Sequence, residues 1–260
     1  MEQSQGMTEF RSLSSSEKER YRSVSRSLVE MVQRYAFPLF FAPPLSVGGK
    51  INGATGCIIR LASGPFIITA NHVLVEYEKR ILTERLNWQF GRLPPFDPLP
   101  RVAWRNAARD IVFIEISEQE VVEACNDISL VFSPVRGWPP PSPSQDQVAL
   151  ISGFPRILRE VGSSEISAGP YSALFRITRS GEDYFYCQIE QEELICFDGG
   201  SLPPPDADVG GLSGGPVALM LPLDYPLIGI VIEHNPAYNL LKVATLSGIP
   251  FEEIRRTLPV

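Results

Sequence analysis

From residue 46 onward the chain is written in short apolar runs, each cut off by glycine or proline. Runs of this length suit β-strands, which need only about five to six residues, and are too short for a continuous helical framework. They form two clusters, at 46–132 and from 148 onward, separated by a Pro/Ser-rich stretch at 133–147. Each cluster holds material for about six strands. The pattern predicts an all-β chain of two antiparallel six-stranded β-barrels, an arrangement that protects strand edges. The expected organisation is an N-terminal tail and helix at 1–44, a first barrel at 45–135, a linker at 136–147 and a second barrel at 148–260.

In the first half, 51–61 and 66–70 read as a hairpin turning at Ala62-Ser63-Gly64-Pro65. A short helix is expected within 73–85 and a helical turn at 118–125. In the second half, strands are expected at 148–152, 174–179, 184–190, 193–197, 215–220, 227–233 and 240–245, with helical character at 250–257. Residues 1–12 are polar and read as disordered. A helix is expected from Ser14, with Ser16 and Glu19 as a capping box. Tyr21, Val24, Leu28, Met31, Val32 and Tyr35 share one face, and Pro38 ends it. That helix reads either as a brace on the barrels or as a docking element for a partner.

Composition narrows the classes of function. The net charge is −7 and no dense basic run appears, which speaks against nucleic acid as a partner. No apolar stretch approaches the roughly 20 residues that span a bilayer, and the N-terminus has no apolar core of a secretory signal. The expectation is a protein without membrane attachment, located in the cytoplasm. Cys57, Cys125, Cys187 and Cys196 then read as free thiols. The alternative is that Cys187 and Cys196 face each other across a hairpin turning at Gln191-Glu192. Two histidines and scattered cysteines make no metal spacing, and no cofactor is implied.

The candidate chemistry lies at three places. In Gly211-Leu212-Ser213-Gly214-Gly215-Pro216, a serine sits between glycines in a run that neither helix nor strand propensity explains. Such a turn can aim two backbone N–H groups at one point beside the serine oxygen, as an oxyanion hole requires. His72 closes the apolar run that begins at Phe66, a fitting place for a general base. Asp110 opens the apolar run Ile111-Val112-Phe113-Ile114. The chain order His…Asp…Ser is one of those in which a single triad geometry occurs. Plainer readings stand beside these: a structural glycine turn for Ser213, a strand cap for His72, a surface acid paired with Arg109 for Asp110. Asp97 competes with Asp110 but lies among prolines with no apolar strand after it.

Together these segments resemble a trypsin-like serine protease of the chymotrypsin-fold superfamily, nearest in style to bacterial HtrA-type and intracellular trypsin-like peptidases. Thr69-Ala70-Asn71-His72-Val73 resembles the family's histidine motif, Asp110-Ile111-Val112 its aspartate motif and residues 211–216 its nucleophile motif. Residues 148–155 and 227–231 are similar to the strand that opens the second barrel and the strand after the nucleophile.

The resemblance implies a chymotrypsin-like pair of barrels and a serine endopeptidase acting on protein or peptide substrates through His72, Asp110 and Ser213. Gly211 and Ser213 would supply the oxyanion hole. Ala207, Val231, Ile232, Glu233 and His234 would lie at the substrate pocket, His234 equally reading as a surface or packing residue. A pocket of this kind suits a small or medium apolar side chain, whereas basic specificity would draw on Asp206 or Asp208. Leu212 departs from the pattern: secreted trypsins carry there an aspartate that pairs with a freshly cut N-terminus, so activation by that route is not expected. The resemblance implies no cofactor, and no PDZ-like domain is expected after the second barrel. The rival reading is a catalytically silent protease-fold module that binds or scaffolds. A protease held inactive until a partner acts, through the N-terminal helix, is a third.

Overall fold

The computed structural model describes residues 14, 32–44, 46–125, 131–132, 140–162, 165–188, 210–221 and 225–254. They form two β units. The first is a six-stranded antiparallel sheet in the order β4-β1-β2-β3-β6-β5. Its strands are β1 (Ala36–Ala42), β2 (Asn52–Leu61), β3 (Gly64–Ala70), β4 (Asn87–Phe90), β5 (Val102–Asn106) and β6 (Ile111–Glu115). Helix α1 (Asn71–Ile81) follows β3 directly, and α2 (Glu118–Cys125) follows β6. The second unit is a closed barrel of β7 (Val148–Gly153), β10 (Tyr171–Ser180), β11 (Tyr184–Gln188), β14 (Leu240–Thr245), β13 (Leu227–Asn235) and β12 (Pro216–Leu219). A small hairpin, β8 (Arg159–Val161) with β9 (Ile166–Ala168), hangs between β7 and β10.

The chain is therefore mostly β, in the chymotrypsin-like two-barrel arrangement, with differences from the expectation in its first half. Only the second barrel is hydrogen-bonded shut; among the described residues the first remains a sheet with free ends at β4 and β5. Large aromatics fill its interior instead. Phe41 stacks on Trp88 at 5.6 Å, and Tyr77 of α1 meets Trp88 edge-on at 5.1 Å.

A second difference lies at Pro38, expected to end a helix. Pro38 sits inside β1, which pairs with β2 and β4. Phe37, Leu39 and Phe41 alternate onto the core face, and burying that period-two stripe outweighs the helical spacing before it. The proline is tolerated because its register partner, Thr55, is engaged elsewhere. Thr55 gives its N–H to the Ser213 carbonyl, and its own carbonyl accepts the Thr69 hydroxyl at 2.7 Å. The sheet thus begins ahead of residue 45. Most of the expected N-terminal helix lies outside the described residues. Its last turn is visible, and there Val32 packs on Leu150 and Ala218 of the second barrel, as a brace would. The strand expected at 193–197 also lies outside them, as does Cys196. Cys57 and Cys187 are free thiols.

The apolar core of the first sheet runs on into the second unit. Leu227, Ile230, Ile232, Ala244, Leu246, Ile249 and Ile254 belong to the same buried cluster as the β2, β3 and β6 residues. This continuous packing fixes the seam along which the candidate site lies.

Candidate functional site

Asp110 is the last residue before β6 and adopts a left-handed backbone, φ 58°. Aspartate tolerates that conformation better than most residues. The bend turns both its carbonyl and its side chain onto the start of α1. The Asn71 N–H donates to the Asp110 carbonyl at 3.0 Å, and the His72 N–H donates to Asp110 Oδ1 at 2.6 Å. Ala70, the residue that caps α1 in sequence, offers no side-chain bond. Asp110 therefore caps the helix from the turn ahead of β6, its carboxylate lying at the positive end of the helix dipole.

The same carboxylate meets the His72 ring. Oδ2 lies 2.6 Å from Nδ1. With an ionised Asp110, Nδ1 carries the proton and donates, which leaves Nε2 with its lone pair free. Two contacts from one carboxylate, to main chain and to ring, fix the imidazole's orientation. Asn71 is 4% exposed and held in turn by the Arg105 Nε–H at 3.0 Å, while Arg105 is anchored to Glu78 at 2.8 Å. His72 was expected at a strand end; it is the second residue of α1, two residues beyond the end of β3.

The Ser213 segment is held mainly by backbone. The Thr55 N–H donates to the Ser213 carbonyl at 2.8 Å. The Gly214 N–H donates to the Val231 carbonyl at 2.7 Å, and the Val231 N–H to the Gly215 carbonyl at 2.9 Å. The Thr55 hydroxyl donates to the Gly211 carbonyl at 2.7 Å and accepts the Phe154 N–H at 2.9 Å. Thr55 in β2 thus ties the first sheet to both sides of the serine. Two glycines are required. Gly211 has φ +105°, and a Cβ there would stand 2.6 Å from the Phe154 carbonyl oxygen. Gly214 has φ +86°, and a Cβ there would run into the Thr55 carbonyl oxygen and the Thr69 hydroxyl. Thr69 lies three residues before His72, so this close approach draws the serine segment against the strand that leads to the histidine. Leu212 is 2% exposed and buried in the barrel core, an apolar anchor for the turn.

Ser213 itself is half-buried. Val231 is buried inside the barrel, and Ile232 in the cluster that crosses the seam. Glu233 is exposed and His234 partly so. β12 pairs with β13 only between Leu227 and Ile230, so along 232–235 the strand described beside β13 is β14 alone. Ala207, with Asp206 and Asp208, lies outside the described residues. Asp97 is spent elsewhere, accepting the Leu99 N–H at 3.1 Å. The buried thiols are poor rival nucleophiles: burial pushes the Cys57 thiol far up and that of Cys187 to about 12.

Among the described residues no group of histidine, cysteine and carboxylates could hold a metal ion, and no helix is long and apolar enough to cross a membrane. The residue that sequence reasoning missed is Thr55. Nothing marks it among the alternating residues of β2, because its hydroxyl's partners are 99 and 156 positions away.

No protein-family model matches the chain, and no curated protein matches it in sequence. Solved structures do resemble it. The Rv3671c protease from M. tuberculosis, active form, superposes with a TM-score of 0.52 at 14% identity, over 92% of this chain and 88% of that one. The thermostable serine protease AL20 from an extremophilic microorganism gives 0.48 at 13%, over 86% and 96%. A mutant of the tobacco etch virus protease gives 0.46 at 13%, over 85% and 78%. The chain has the trypsin-like protease fold.

Proposed function

We propose that this chain is a serine endopeptidase in which His72, Asp110 and Ser213 act together. The observation that carries the reading is the two-point grip of Asp110 on His72, which leaves Nε2 as the free basic atom of the ring. Support also comes from the fold and from the glycine-flanked Ser213 segment, seamed through Thr55 and Gly214 onto the strands beside the histidine.

In the proposed reaction the Ser213 Oγ attacks a peptide carbonyl while His72 Nε2 takes its proton. The carbonyl π-bond becomes an oxyanion, met by the N–H groups of Gly211 and Ser213. The C–N bond then breaks, Nε2 hands the proton to the leaving amine, and an ester to Ser213 remains. Water, deprotonated by Nε2, clears the ester. Asp110 keeps the imidazole tautomer and stabilises the imidazolium without itself becoming protonated. On this reading the acyl half of the substrate lies along β13 beyond Val231, where β14 is the strand described beside it. Leu212, seated in the barrel core, supports a turn that forms without a newly cut N-terminus. Cytoplasmic work belongs to the same reading, supported by the free thiols of Cys57 and Cys187. Control by a partner is assigned to the segment before Val32, outside the described residues.

A peptide-cleavage assay tests the proposal. Ser213→Ala should lose on the order of 10⁶ in turnover with an unchanged fold, and His72→Ala about as much. Wild-type rates in Ser213→Ala would remove the serine from the chemistry.

A further inference from the structure

The two ends of the Gly210–Pro216 segment rest on different neighbours. Gly214 and Gly215 bond to β13 through Val231. Gly210 and Gly211 rest on the turn after β7: the Arg156 N–H donates to the Gly210 carbonyl at 2.5 Å, and Gly211 packs against Phe154 and Arg156. If the acyl half of a substrate lies along β13, the half that leaves must run the other way, past Gly211 toward residues 154–159.

That flank carries two cations. Arg156 is exposed at the start of a short 3₁₀ turn, Arg156–Leu158. Arg159 lies behind it, its guanidinium over the Phe40 ring at 5.2 Å and one nitrogen donating to the Ile51 carbonyl at 3.2 Å. The Arg159 Nε–H is buried without an acceptor. Burial, followed by the charge of Arg156, holds the Arg159 pKa below its ordinary value. Among the described residues neither arginine meets a carboxylate, although the chain as a whole carries a net charge of −7. Two neighbouring cations with no carboxylate paired to them among the described residues leave a local positive field, and an exposed arginine fork suits a carboxylate.

We infer that Arg156, backed by Arg159, recognises an acidic side chain among the first residues after the cleaved bond. This rests on the serine endopeptidase reading and adds a specificity to it. Arg159 is held by packing and positions the field; Arg156 is free to make the contact.

The test is a set of internally quenched peptides with one common acyl half, carrying Asp or Glu, Ala, or Lys at each of the first three positions after the bond. Wild type should favour the best acidic peptide over its alanine counterpart by about fivefold in kcat/KM, the scale of an exposed ion pair. The ratio should fall to about one in Arg156→Ala and reverse toward the lysine peptide in Arg156→Glu. Raising ionic strength to about 1 M, where charges are screened beyond roughly 3 Å, should shrink the wild-type ratio. Labelling of Ser213 by a fluorophosphonate, which has no peptide leaving group, separates the two levels. Labelling with cleavage that ignores the acidic residue, or a ratio unaltered in Arg156→Ala, overturns this inference alone. No labelling and no cleavage overturns the endopeptidase reading and this inference with it.

Discussion

In the six-stranded sheet, side chains hold the candidate site: Asp110 grips His72 twice, and Arg105 steadies Asn71 from Glu78. In the closed barrel, main chain does most of the work, through the Gly214, Gly215 and Val231 bonds and two glycines that let backbones meet. The difference follows from what each group is proposed to do. A base needs one tautomer in one orientation, which a neighbouring carboxylate can impose. A nucleophile beside two N–H donors needs a particular backbone path, which bulky residues would block. Damage on the first side should therefore reach rate before stability, and damage on the second should reach both.

Asp110→Asn gives the sharpest separation. The substitution keeps size but turns an acceptor pair into an amide that favours the wrong imidazole tautomer, and kcat should fall on the order of 10⁴. The melting temperature should shift little by comparison. Steady-state kinetics beside a thermal melt reads both, and a large loss of stability with a small loss of rate would break the comparison.

Thr55→Val should show the opposite balance. Valine has the same shape but leaves the Gly211 carbonyl and the Phe154 N–H without their partner inside the seam. Two buried groups left unsatisfied cost roughly 2–4 kcal/mol. Calorimetry should show a drop of roughly 5–10 °C, with kcat falling as well because Gly211 loses its anchor. A melting curve like that of wild type would mean that the seam does not depend on this hydroxyl.

How much of this was legible in the sequence depends on the distance over which each feature is decided. The strands at 148–153, 227–235 and 240–245 announce themselves because continuous apolar runs can be buried in only a few ways. β1 does not, since the helical spacing up to Tyr35 and Pro38 both point elsewhere; only the partners on either side reveal the Phe37-Leu39-Phe41 stripe. β8 and β9 are three residues each, too short to show a pattern. The open first sheet likewise depends on how aromatics fill its interior. At the site, the residue types at 72, 110 and 213 carry a chemical signal by themselves. The left-handed turn of Asp110 and the bonds of Thr55 to Gly211, Ser213 and Phe154 do not, because each arises from segments remote in sequence.

A smaller effect probes the scaffold of the first sheet under acid. Ser117 and Glu120 form a reciprocal cap on α2, and Arg101 pairs with Glu120 at 2.6 Å. Burial alone would raise the Glu120 carboxyl, but the bonds from Ser117 and Arg101 outweigh it and hold it below the usual range. A carboxyl depressed in the folded state stabilises the protein above its unfolded pKa, about 4.3, and loses that contribution as pH falls through the folded value. Relative to Glu120→Gln, wild type should be more stable by a few tenths of a kcal/mol near pH 6, after allowing for solvent screening. The gap should close below about pH 4. Melts across that range measure it, and a gap that widened on acidification would reverse the sign of the interaction.

The central claim is that Ser213 is a nucleophile activated by His72. Intact-mass spectrometry after exposure to a fluorophosphonate reads it directly, without knowledge of the substrate. The account predicts a single adduct, mapped to Ser213, absent in Ser213→Ala and strongly slowed in His72→Ala. A wild-type protein that takes up no adduct, or a Ser213→Ala protein that still does, would contradict it.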